Sequence, residues 1–139
     1  MSGKFINKSG FTLVELMLVV IIIGVIAAMI VPRLTGRSEE ARKGVAKVDV
    51  DLNISIALKL YELNNGAFPN TDEGLAALLT APSSAKNWKG PYLEKEPIDP
   101  WSNPYHYKSP GSHRTDYDLY SAGRDGIEGN QDDVVNWSK

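Results

Sequence analysis

Residues 8–32 read KSGFTLVELMLVVIIIGVIAAMIVP, and within Phe11–Val31 the one charged residue is Glu15. As a helix, these 21 residues are long enough to cross a hydrocarbon core of ~30 Å. The preceding MSGKFINKSG carries Lys4 and Lys8 and no acid. Such a cationic flank stays on the cytoplasmic side and sends the following chain outward. A secretory signal peptide has the same polarity. The apolar stretch is too long for its central region, however, and Ala27-Ala28-Met29-Ile30-Val31-Pro32 offers no A-x-A-like cleavage site. The segment therefore reads as retained. Glu15 is costly in such a place. One reading has its carboxylate reaching the membrane edge, one turn away. The other has it paired with a cation from another chain, since its own apolar segment holds no second charge.

The rest of the 139 residues is ordinary polar sequence, enough for one domain. A formal charge of −2 gives no basic face for displacing counterions from nucleic acid, so no nucleic-acid partner is expected. There is no cysteine, which excludes disulfides, thiolate metal sites and thiol nucleophiles.

Pro32 ends the purely apolar run and is a candidate kink. Arg33, Arg37, Glu39, Glu40, Arg42 and Lys43 mark the exit into water. Ala41, Val45, Val48, Leu52, Ile56, Leu60 and Leu63 then recur at steps of three and four, an amphipathic helix. Asn64-Asn65-Gly66 is its stop, with Gly66 available for a left-handed cap. Helix from Phe11 to about Asn64 would extend roughly 80 Å at ~1.5 Å per residue. That exceeds one small globule, so half of it needs partners elsewhere. Asn70 or Thr71 is placed to cap a short helix ending near Leu79. Pro91-Tyr92-Leu93 is too short and proline-flanked for a central strand. Tyr105–Lys108 and Asp116–Ser121 alternate as strands do, and are expected to pair as a hairpin on the amphipathic face. The fold class is α+β.

Residues 121–133, SAGRDGIEGNQDD, are the one dense acidic stretch. Asp116 through Asp133 supplies six carboxylates against the single cation Arg124. Asp125, Asn130, Asp132 and Asp133 are side-chain oxygen donors, and the glycines let carbonyls turn inward, as a hard cation such as calcium requires. The EF-hand spacing is absent, so from the residues a calcium loop of another type and a solvated Asp-Gly turn both stand. Gly123, Gly126 and Gly129 have the wrong spacing and charge for a phosphate loop. His106 and His113 sit in no recognisable catalytic context and read as surface or hairpin residues. Trp88, Trp101 and Trp137 read as anchors of a small core.

Lys8-Ser9-Gly10-Phe11-Thr12-Leu13-Val14-Glu15 resembles the class III signal of type IV pilins and pseudopilins. That likeness implies a pilin-like fold, a long transmembrane then amphipathic helix packed on a small antiparallel sheet. It also implies cleavage by a prepilin peptidase between Gly10 and Phe11, with N-methylation of Phe11. Glu15 becomes the fifth residue, meeting the Phe11 amine of a neighbouring subunit. Losing Lys4 and Lys8 leaves 13 basic against 17 acidic side chains, a side-chain charge of −4. The implied division is a leader over 1–10, a filament-core helix over 11–31 and a periplasmic unit over 32–139, with amphipathic helix to about 64.

Asn65-Gly66-Ala67-Phe68-Pro69, Asp72-Glu73-Gly74-Leu75, Asp99-Pro100-Trp101-Ser102-Asn103-Pro104-Tyr105 and Ser121-Ala122-Gly123-Arg124-Asp125-Gly126 together resemble the major (G-type) pseudopilins of type II secretion systems. The likeness implies calcium in the acidic loop, with side chains of Asp125, Asp132 and Asp133, carbonyls of Ala122 and Ile127, and Asn130 through its carbonyl or its side chain as ligands. It implies a structural subunit, not an enzyme, that homopolymerises into a periplasmic pseudopilus driving export of folded proteins through the outer membrane. The implied partners are minor pseudopilins, the prepilin peptidase, the inner membrane before assembly, and an inner-membrane platform with its ATPase. Gly24 and Pro32 bracket a stretch expected to lose helix on assembly. Two alternatives remain: an adhesion or motility pilus subunit, for which the absent cysteine pair is a departure, and a membrane-anchored enzyme or binding domain using the acidic loop.

Overall fold

The computed structural model describes residues 10–138. The expected leader, with Lys4 and Lys8, lies outside them apart from Gly10. The chain divides into two compact units, Met1–Glu39 and Glu40–Lys139. Helix α1 spans Leu13–Val48, and its backbone stays helical through Pro32. It passes through a π-helical turn, Asp49–Asn53, into helix α2, Ile54–Asn65. The expected single helix to residue 64 is thus interrupted once. The Ile54 amide donates to the Asp49 carbonyl, five residues back. The Val50 carbonyl accepts from Ser55 Oγ at 2.7 Å, and Tyr117 OH bonds Ser55 Oγ at 2.9 Å. Buried polar groups need such partners. Gly66 closes α2 at φ 83°, its amide bonded to the Glu62 carbonyl at 2.7 Å.

The stripe read from the sequence is not the core face. Val45, Val48, Leu52, Ile56, Leu60 and Leu63 are all exposed, Leu63 by 79%. The buried residues are Ala46, Val50, Ile54, Ala57, Leu58 and Tyr61, with Leu58 at 0%. Both sets follow the helical period, the buried one with Ala57 and Leu58 adjacent, and both are apolar, so spacing fits each. Hydropathy favours the set rich in Leu and Val. Close approach of a sheet favours the set carrying two alanines, because small side chains let elements pack tightly.

Beyond Gly66, Asn70 and Glu73 bond reciprocally, amide to side-chain oxygen, at 2.9 Å each way. A 3-10 turn over Gly74–Leu78 follows, where a short helix to Leu79 was expected. Trp88 packs against the core and donates from its indole to the Ala77 carbonyl at 2.9 Å. Strands β1 (His106–Lys108), β2 (Asp118–Ser121) and β3 (Val134–Val135) form an antiparallel sheet in the order β1-β2-β3. The expected hairpin is present, paired His106 to Tyr120 and Lys108 to Asp118. β3 was not anticipated. It pairs Val134 to Ser121 and Val135 to Tyr120, and Lys47 Nζ bonds the Val135 carbonyl at 2.8 Å. Tyr107, Tyr117 and Leu119 join Val50, Ile54 and Leu58 in one core. Alternation along the strands turns His106 and Tyr120 to the other face.

Candidate functional site

The amino-terminal unit supplies the first site. Gly10 and Phe11 precede the helix, and Phe11 is 78% exposed. Glu15 has a partner inside its own segment, contrary to the expectation. Thr12 donates from its amide (2.9 Å) and hydroxyl (3.0 Å) to Glu15 Oε2, and the Glu15 amide donates back to Thr12 Oγ1 at 3.2 Å. This is a capping box, and it satisfies otherwise orphaned donors of the first turn. The T-x-x-E spacing was legible in the sequence and was passed over because only charged partners were sought. Oε1 has no part in these bonds. Leu13–Ile30 is long and apolar enough to cross a membrane, and none of it is buried within the chain.

The acidic loop joins β2 to β3 and is knit by its own side chains. Asp125 Oδ1 accepts the Ile127 amide at 2.9 Å. Asp132 Oδ2 accepts the Arg124 amide at 3.0 Å, and Asp133 Oδ2 accepts the Gly129 amide at 2.7 Å. Gly123 has φ 66°, and a Cβ there would lie 2.6 Å from both Asp132 O and Asp132 Oδ2, so only glycine fits.

Two of the expected calcium ligands, Asp125 and the Ile127 carbonyl, meet around the side chain of a third, Asn130. Asn130 Nδ2 lies 3.2 and 3.0 Å from the two Asp125 carboxylate oxygens and 2.9 Å from the Ile127 carbonyl. Its polarised hydrogens gather the oxygens that a hard cation would draw. Asn130 Oδ1 meanwhile accepts the Asp132 amide at 2.9 Å. Asp133 Oδ1 and the residue Ala122 are buried. The donors fit calcium by type. Among the described residues, however, no three Asp, Glu or His side chains are grouped to hold a metal. Asp125, Asp132 and Asp133 are neighbours in the loop without meeting at one centre.

A groove of about 760 Å³ lies on the outer face of the sheet. His106 stacks on Tyr120 at 4.9 Å and points Nδ1 at Glu128, 3.0 Å away. Burial and a hydrogen bond to Glu128 push the Tyr120 hydroxyl up to about 12, so it stays a donor. His113 stacks on Trp137 at 4.1 Å, with Nδ1 3.0 Å from Asp118. Trp137 therefore meets His113 and Tyr120, not the central core as expected. Burial alone would raise the Asp118 pKa. The amides of Ser112, His113 and Arg114 and the His113 ring together hold it below the ordinary carboxylate range. The sequence reading counted Glu128 only as one of six acids and gave it no role.

A membrane-length apolar helix in the first unit, and in the second an amphipathic helix packed on a small antiparallel sheet, define a pilin-like protein. The chain belongs to the family described as type II secretion system (T2SS), protein G, which matches residues 33–137. The prokaryotic N-terminal methylation motif matches residues 6–31. A type II secretion system core protein G of Pseudomonas aeruginosa is 47% identical over 138 residues, covering 94% of this chain and 96% of that protein. One of Escherichia coli K12 is 44% identical over 135 residues, covering 94% and 92%. The crystal structure of the major pseudopilin from the type 2 secretion system of enterohaemorrhagic Escherichia coli aligns with TM-score 0.66 at 30% identity. It covers 75% of this chain and 89% of that one.

Proposed function

We propose that this chain is the major structural subunit of a type II secretion pseudopilus, homopolymerising from the inner membrane into a periplasmic filament that drives folded proteins through the outer membrane. One observation carries the reading beyond family membership. Two apolar surfaces, Leu13–Ile30 and the stripe Val45–Leu63, stand exposed, covered by none of the described residues. Apolar area of this extent is stable only against lipid or another protein. The membrane supplies the first cover and neighbouring copies supply the later one. The work is assembly, with no catalytic step.

A prepilin peptidase would cut at Gly10-Phe11, leaving Phe11 methylated. Glu15 then has two tasks: Oε2 caps its own helix, and Oε1 meets the Phe11 amine of the next copy. Minor pseudopilins and an ATPase-driven inner-membrane platform complete the partner set. The long helix and exposed span support an orientation with residues 32–139 in the periplasm. Calcium would sit in the acidic loop on Asp125, Asp132 and Asp133 with carbonyls of Ala122, Ile127 and Asn130. Bound there it would supply positive charge that holds the loop closed between β2 and β3. The adhesion or motility pilus subunit is the less supported reading, given the family match and the absent cysteine pair.

Replacing Glu15 tests the assembly reading. Glu15→Ala should still be cleaved, giving mature protein that begins at methylated Phe11 by mass, but should not enter filaments. Normal filament yield from this variant would overturn the pairing role of Glu15.

A further inference from the structure

The outer groove of the sheet takes no part in the exposed apolar surfaces, and the acidic loop contributes Glu128, Asn130 and Asp133 to its wall. Its polar inventory is one-sided. Each histidine directs Nδ1 at a carboxylate, which makes Nε2 of the neutral ring an acceptor. Tyr120 stands close enough to Glu128 for the carboxylate to help hold its hydroxyl protonated. Lys108 Nζ is turned to Ser112 Oγ at 2.7 Å. Asp118 is closed off by donors from Ser112, His113 and Arg114. Glu128 is different: its side chain is 54% exposed, and the His106 contact leaves room on a carboxylate that accepts about four donors. Beside it, the rings of Tyr120 and Trp137 meet edge to face at 5.6 Å. What remains on offer is negative charge, acceptors and aromatic surface.

We propose that this groove docks an arginine-bearing segment of a partner protein, with the guanidinium on Glu128 and against the Tyr120 and Trp137 rings. A guanidinium carries five donors in a plane and stacks on aromatic faces, which matches the groove better than a compact ammonium does. The choice of a partner other than a second copy rests on the filament reading, in which copies meet through helix surfaces. The groove opens on the opposite face of the sheet.

The test uses the full chain in non-ionic detergent micelles at constant calcium, titrated with an end-blocked tri-arginine peptide and, in parallel, tri-citrulline. Tri-arginine should bind saturably and tri-citrulline should not. Glu128→Gln, which removes only charge, and Trp137→Leu, which removes only the ring, should each weaken binding at least about fivefold. Glu94→Gln, an exposed acid elsewhere in the unit, should leave it unchanged. The proposal is overturned by no saturable binding, by equal binding of tri-citrulline, or by Glu94→Gln weakening binding as much as Glu128→Gln. If the peptide instead splits chain dimers in sedimentation, the occupant is a second copy and the proposal of an arginine-bearing partner is overturned. Filament yield of Glu128→Gln, read separately, reports on the filament reading alone.

Discussion

Two faces of one helical stretch are both apolar and meet opposite fates. Ala46, Val50, Ile54, Ala57, Leu58 and Tyr61 lie under the sheet, while Val45, Val48, Leu52, Ile56, Leu60 and Leu63 face outward. A globular protein needs the first set to fold. It gains nothing within its own chain from the second. The difference teaches that apolar periodicity reports that a surface will be buried, without saying by which molecule. A subunit built for a filament writes both interfaces into one helix.

The largest expected effect separates the faces directly. Leu58→Ala should cost about 2–5 kcal/mol of unfolding free energy, as for other core truncations. Leu52→Ala should cost no more than about 0.5 kcal/mol while lowering filament yield. Chemical denaturation of both variants checks this, and equal losses would break the comparison. Calcium removal should act on the folded unit and not on the outer stripe. With calcium at about 100 times its dissociation constant, the bound loop gains about 2.7 kcal/mol. EGTA should therefore lower the melting temperature of unassembled chain, and an unchanged curve would remove calcium from the account.

Acid gives the smallest effect. Burial opposes ionisation of Asp118, but its amide and His113 donors win. For Asp116 the Arg114 guanidinium is the leading cause, and both carboxyls sit below their ordinary range. A depressed folded pKa contributes stability that is present above the unfolded value, near 4, and lost as pH falls through the folded value. Melts at pH 5 and at pH 2.5 should show Asp118→Asn losing less on acidification than the natural chain. Equal losses would assign the acid sensitivity elsewhere.

Much of this was legible in the sequence. The apolar span, the Gly66 cap and the β1–β2 hairpin each carry a local signature, whether length, a left-handed glycine or alternation. The Gly10-Phe11-x-x-x-Glu15 pattern placed the protein in its superfamily. What escaped notice has physical causes. β3 is two valines long, too short for alternation to register, and is fixed instead by Lys47 and by pairing with Tyr120 and Ser121. The π turn depends on Ser55 and Tyr117, which are 62 residues apart. The capping role of Glu15 was visible as T-x-x-E, but the cost of its charge drew attention away from its neighbour. In the acidic loop the residue types suggested a cation, whereas Asn130 holding Asp125 and Ile127 together is a matter of geometry.

The central claim is that the stripe Val45–Leu63 is an interface between copies. Because the chain has no cysteine, a Leu52→Cys variant carries one thiol against no background. Maleimide labelling of that thiol, compared between detergent-solubilised monomer and assembled filament, tests the claim most directly. The account predicts rapid labelling of the monomer and protection in the filament. Equal labelling in both states would contradict it.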